Sequence, residues 1–153
     1  MKKKSEKAKP KRRVGATFEI LAGLDSLKEI RHAIEAQARA LGIARPKIYR
    51  VVLAVEEATS NVIRHAYGKR RLKPVSIEIE MTRAEVKILI RDVGRPFDFG
   101  NHPSRSEVRQ ALKKRSRGGY GVHLIKSMVD RYEYLRSDTG ENHLRLVKRL
   151  TRG

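Results

Sequence analysis

The 153-residue chain has neither cysteine nor tryptophan. Without cysteine there can be no disulfides, thiol catalysis or cysteine-ligated zinc. Aromatic residues are only 5% of the chain, and they do not interleave with its basic clusters as a nucleic-acid stacking platform requires. No apolar run approaches the roughly 20 residues of a membrane helix. The basic N-terminus is not followed by the apolar stretch of a secretory signal. These absences predict a soluble, cytoplasmic protein with no membrane partner. Negative charge is also scarce: 17 Asp or Glu stand against 36 Lys or Arg, a formal net of +19. Such an excess points to nucleic acid, anionic surfaces or acidic protein partners.

The positive charge is concentrated in two places. Residues 1–13 hold eight Lys or Arg against Glu6 alone, a net of +7 with no apolar period, and read as a disordered tail. Residues 14–153 are then one domain, since a chain of this length suits a single core. The second cluster, Arg105, Arg109, Lys113, Lys114, Arg115 and Arg117, is opposed only by Glu107.

Hydropathy periods outline the elements. Thr17 to Leu21 alternates as a short strand. A helix capped by Asp25 or Ser26 carries Leu27, Ile30, Ile34, Ala38 and Leu41 at helical spacing and ends at Gly42. Pro46 suits the first turn of the next helix, whose apolar face runs from Ile48 towards Tyr67. Val75, Ile77 and Ile79 alternate with polar residues, and Val86, Ile88 and Ile90 repeat the pattern after a short connection at 82–84, predicting an antiparallel hairpin. Residues 95–117 read as a loop with a helical patch near 106–113. A helix follows over 120–129, then two strands, 132–137 and 143–150, with a turn between them. Early helices and late hairpins predict an α+β two-layer sandwich rather than a doubly wound sheet.

Three segments carry chemistry. Glu57 and Asn61 lie four residues apart, hence one turn apart on one helix face. An amide oxygen can join the octahedral shell of Mg²⁺ beside phosphate oxygens, and a carboxylate can take a proton from a hydroxyl. Taken alone, such a pair reads more readily as a solvated helix face. Asp92-Val93-Gly94 ends a strand, where a carboxylate can accept a hydrogen bond from an exocyclic amine such as that of adenine. Gly118-Gly119-Tyr120-Gly121 opens a helix, where free N–H groups and the helix field favour phosphate. Arg115 and Arg117 could reach a terminal phosphate with their forked donors. Neither the P-loop nor the Rossmann glycine pattern is present.

In order and spacing, E-E-A-T-S-N-V-I-R-H-A-Y-G at 56–68, R-D-V-G-R-P-F-D at 91–98 and R-G-G-Y-G-V-H-L-I-K-S-M-V-D at 117–130 resemble the N, G1 and G2 boxes of the GHKL, or Bergerat-fold, ATPases. The resemblance is strongest to the small serine-kinase anti-sigma factors and runs from about Ala16 to Leu150. It implies a two-layer α/β sandwich with a mixed sheet and helices on one face. It also implies ATP and Mg²⁺ as cofactors, Glu57 as general base, Asn61 at the metal, and Asp92 and Gly94 at adenine. Gly118, Gly119 and Gly121 would cover the phosphates at the end of a lid, with Phe97, Arg115, Arg117 and Tyr120 also at the nucleotide. The implied activity is that of a serine/threonine-protein kinase that binds a sigma factor and phosphorylates a STAS-type anti-sigma-factor antagonist. Family members often dimerise, so the resemblance extends to a homodimer. A different class of function is a non-catalytic module whose partner binding is gated by nucleotide. Nucleic acid is not expected as the main partner, because the aromatic residues that would support it are missing.

Overall fold

The structure, a computed structural model, describes residues 14–21, 26–66, 73–96, 99–100 and 120–151. The basic tail at 1–13, Asp25 and the expected helical patch near 106–113 lie outside them. The described elements are β1 (Val14–Leu21), α1 (Ser26–Ala40), α2 (Arg45–Asn61) with a π-helical turn (Val62–Ala66), β2 (Pro74–Met81), β3 (Glu85–Asp92), α3 (Tyr120–Met128), β4 (Arg131–Arg136) and β5 (Asn142–Arg149).

The five strands form one sheet in the order β1-β2-β3-β5-β4, and every neighbouring pair is antiparallel. The α+β architecture is as expected, but the expected mixed sheet is not seen among the described strands. The reason is topological. The crossover through α3 returns the chain as β4, and the β4–β5 hairpin then inserts β5 between β3 and β4. The parallel pair that such a crossover could have produced is thereby separated.

One sheet face carries the core. Val75, Ile77, Ile79 and Met81 of β2, Val86, Ile88 and Ile90 of β3, and Leu144 and Leu146 of β5 are buried at alternate positions. Against them pack Ile30, Ile34 and Ala38 of α1, Val51, Val55 and Ala58 of α2, and Ile125 of α3. Each of the Val, Ile, Leu and Met side chains contributes about 1.5–3 kcal/mol when fully buried. The opposite face carries ion pairs, the half-buried Arg91 with Glu78 and the exposed Arg145 with Glu133; the exposed pair contributes little because water screens it.

The helix ends follow the sequence closely. Gly42 takes φ +68°, its N–H donates to the Arg39 carbonyl (2.9 Å), and the Ile43 N–H donates to the Ala38 carbonyl (2.8 Å). This Schellman closure needs a residue without a Cβ penalty in the left-handed region. Arg83, from the β2–β3 connection, donates to the Leu41 carbonyl at 2.8 Å and so ties the end of α1 to the hairpin. Pro46 occupies the first turn of α2 as expected. The second helix does not run on as regular α-helix to Tyr67. It changes to a π-helical turn at Val62, immediately after Asn61, the kind of distortion often found at functional positions.

Asp130 clamps the end of α3 to β5. Its backbone N–H donates to the Val147 carbonyl (2.9 Å), and its carboxylate accepts from the Arg149 N–H (2.6 Å) and the Lys148 ammonium (3.1 Å). Partial burial disfavours the charged form, but the Arg149 N–H and the Lys148 ammonium outweigh it and hold the carboxyl below its usual range. A carboxyl depressed in the folded state stabilises fully above its unfolded pKa. That contribution falls away as pH drops below about 4 and through the folded value. Thermal melts between pH 7 and pH 3 should therefore show Asp130→Asn losing less stability on acidification than the wild type. Parallel curves would show that the clamp carries no linkage.

Candidate functional site

The three segments singled out in the sequence form two described clusters. In the first, α3 packs its N-terminal turn against α2. Glu57 is half-buried and Asn61 is 7% exposed, one turn apart on the same helix face. Gly121 lies directly on them. A Cβ placed there would press into Glu57 Oε1 and stand 2.8 Å from Asn61 Nδ2 and 3.0 Å from Asn61 Oδ1. Any side chain at this position would therefore have to displace the Glu57 carboxylate and the Asn61 amide. No hydrogen bond engages the Asn61 amide among the described residues, so its oxygen is available to a cation. The neighbouring Glu56 has a different task. It is held in a two-pronged ion pair by Arg31 of α1, both contacts at 2.7 Å.

In the second cluster, Asp92 is 5% exposed at the end of β3 and shares the helix-facing parity of Ile88 and Ile90. Its Oδ1 accepts from the Gly94 N–H at 2.8 Å, closing an Asx turn. The same oxygen accepts from Asn142 Nδ2 at 2.9 Å, and that Nδ2 also donates to the Gly94 carbonyl at 3.1 Å. Arg136 donates to Asn142 Oδ1 at 2.9 Å and to the Gly94 carbonyl at 3.3 Å. The Asp-x-Gly turn is therefore a fixed bracket between β3, β4 and β5.

Phe97, Arg115, Arg117, Gly118 and Gly119 lie outside the described residues, and of Tyr120 only the backbone, which opens α3, is described. Beyond the Asp-x-Gly turn, Phe99 is 5% exposed. It stacks on Tyr134 at 5.7 Å and meets Tyr132 at 5.4 Å. The Lys126 ammonium stands over the rings of Phe99 and Tyr132 at 5.1 and 4.7 Å. This aromatic–cation cluster fastens the segment after the turn to β4 and α3.

Sequence reasoning missed Asn142 and Arg136. The signal for Asn142 was its parity: it falls two residues before Leu144 and four before Leu146, the buried positions of β5, so a strand starting one residue earlier would have placed an amide on the core face. Also missed was a cleft of about 430 Å³ between α1, α2 and α3, lined by Leu27, Lys28, Arg31, Leu53, Glu57, Arg64 and Leu124 among others. Glu57 borders both this cleft and Gly121. Among the described residues there is no cluster of three or more His, Cys, Asp or Glu able to hold a metal, and no helix long and apolar enough to cross a membrane.

A five-stranded antiparallel sheet backed by helices, with a carboxylate–amide pair under a glycine helix start and an Asp-x-Gly bracket, makes this an α+β sandwich. The family model described as a histidine kinase-like ATPase domain matches residues 20–148, and the chain belongs to that family, the GHKL ATPases. Similar proteins include the serine-protein kinases RsbW of Bacillus cereus (strain AH820) and Bacillus anthracis (strain A0248). Each is 26% identical over 116 residues, covering 74% of this chain and 72% of the relative. Among solved structures, a chain of the SiaB–SiaC complex from Pseudomonas aeruginosa superposes with a TM-score of 0.60 at 16% identity, over 88% of this chain and 89% of that one. The structure of the RsbU and RsbW domains of Rv1364c from Mycobacterium tuberculosis gives 0.59 at 16% identity over 90% of this chain. This chain spans only 33% of the latter. At such identity the two structures attest the fold alone.

Proposed function

We propose that the chain is an ATP-dependent serine/threonine-protein kinase that acts as an anti-sigma factor and phosphorylates a STAS-type antagonist. The observation that carries this reading is the seat of Gly121 on Glu57 and Asn61. In this reading it brings together the carboxylate that would take the proton, the amide that would hold the metal and the helix start that would bind phosphate. The names of the RsbW relatives support the reaction class.

In this reading Asp92 accepts the exocyclic amine of adenine while the glycine-rich start of α3 offers N–H groups and its helix field to the phosphates. Asn61 fits Mg²⁺. The residue is 7% exposed, no hydrogen bond engages its amide among the described residues, and a single protein oxygen suffices for a cation that takes most of its shell from water and phosphate. Bound there, the ion would neutralise phosphate charge. The acceptor hydroxyl approaches through the cleft that Glu57 borders. Glu57 takes the hydroxyl proton as the oxygen bonds to the γ-phosphorus. The bond from that phosphorus to the β–γ bridging oxygen breaks, and ADP leaves with the electron pair. Lys28 and Arg64 on the cleft wall favour an acidic acceptor surface, in keeping with the strong positive charge of the chain.

The test is incubation of the pure protein with labelled ATP, Mg²⁺ and candidate STAS-domain antagonists. Transfer of label to a serine or threonine is expected. Partner binding that responds to ATP with no transfer to any antagonist would replace the kinase reading with that of a nucleotide-gated binding module.

A further inference from the structure

We propose that Asn142, locked in place by Arg136, positions the Asp92 carboxylate for an exocyclic amine and thereby sets a preference for adenine over oxo-purine nucleotides. The inference rests on the nucleotide reading given above. Asn142 is 1% exposed, and the chemistry of its neighbours fixes which way its amide faces. Asp92 and the Gly94 carbonyl only accept hydrogen bonds, so the atom facing them at 2.9 and 3.1 Å is the NH₂ group. Arg136 only donates, so the atom facing it at 2.9 Å is the oxygen. Each end of the amide has one chemically allowed identity, and the guanidinium prevents a flip.

The consequence falls on Asp92. Its Oδ1 is held by two donors, the Asn142 amide and the Gly94 N–H, so the carboxylate cannot rotate about its last bond. Neither of these bonds uses Oδ2. A carboxylate oxygen held in one orientation accepts from an amine and repels a carbonyl oxygen, and those are the two groups that distinguish adenine from hypoxanthine at the same ring position. Without Asn142 the Gly94 N–H would be the one donor left to Asp92 among the described residues, and the direction of its second oxygen would no longer be set. The amide is not needed to hold the strand register. Asp92 and Asn142 are Cα partners in a ladder that pairs Glu85–Asp92 with Asn142–Arg149, and the alternation of buried Ile88, Ile90, Leu144 and Leu146 already specifies that register.

Titration of the full chain with ATP and with ITP, whose base carries a carbonyl in place of the amine, tests the assignment. Asn142→Leu should lower the ATP-over-ITP affinity ratio by about 10- to 100-fold, the effect of losing a hydrogen bond to a charged group. ITP binding should hardly change. Arg136→Gln, at an exposed strand end where folding is not at stake, should lower the same ratio by a smaller factor. General damage to the site would weaken both nucleotides together and leave the ratio intact, which overturns the proposal, as does an unchanged ratio in Arg136→Gln should the leucine variant not fold. A wild-type chain that binds no ATP would instead overturn the nucleotide reading and this inference with it.

Discussion

Glu57→Gln should slow phosphotransfer to an antagonist by about 10²- to 10⁴-fold, the range associated with loss of a general base, while ATP still binds. Glutamine keeps the length and shape of the side chain, so the seat of Gly121 is preserved and only proton-accepting capacity is lost. Glu56→Gln is the matched control. Glu56 is adjacent in sequence and also lines the cleft, but its carboxylate is engaged by Arg31, so its removal should slow transfer far less than loss of a general base. Single-turnover transfer of labelled phosphate, with ATP affinity measured in parallel, separates the two outcomes. A Glu57→Gln protein that transfers at the wild-type rate would remove Glu57 from the chemistry.

Gly121→Ala should cost activity far more than stability. The atoms nearest the added Cβ are the tips of two side chains, Glu57 Oε1 and the Asn61 amide. Tips of flexible side chains can move aside, and alanine is the better helix former. The melting temperature should therefore stay within about 2–4 °C of wild type. Those tips are nevertheless the atoms proposed to take the proton and hold the metal, and a displacement of about 1 Å at such atoms can cost around 10²-fold in rate. Transfer should fall by at least that factor in a protein that melts normally. A large drop in melting temperature would show instead that the glycine matters to folding first. Full activity in the alanine variant would mean that the α2–α3 seat plays no part in the reaction.

Much of the fold was legible because its elements announce themselves locally. The alternation of Val75, Ile77 and Ile79 and of Val86, Ile88 and Ile90 marks two strands with one buried face, and the structure buries those faces. The 3- and 4-residue spacing of Leu27, Ile30, Ile34 and Ala38 marks α1, Gly42 ends it, and Pro46 opens α2. The Glu57–Asn61 pair and the Asp-x-Gly turn could be picked out for a related reason, since each depends on spacing within one element.

The missed features are long-range. The bond from Asn142 to Asp92 joins residues 50 apart, and the ion pair from Arg31 to Glu56 joins residues 25 apart. No local period reports on either, because both depend on which strand or helix becomes a neighbour. The π-helical turn after Asn61 was equally hidden, since the apolar stripe continues through Val62 and Ala66 as it would in a regular helix.

By itself, then, the sequence determined the kinds of element, the faces they bury and the chemical groups available at three motifs, because helix and strand periods and turn residues act over a few positions. Only the tertiary structure decided that β5 enters between β3 and β4, that the sheet is antiparallel throughout its described strands, and that Asn142 and Arg136 brace Asp92. Likewise it alone seated Gly121 on Glu57 and left Glu56 to Arg31. Strand order and helix seating follow from the joint burial of faces far apart in the chain, and that balance is struck only when the whole core assembles.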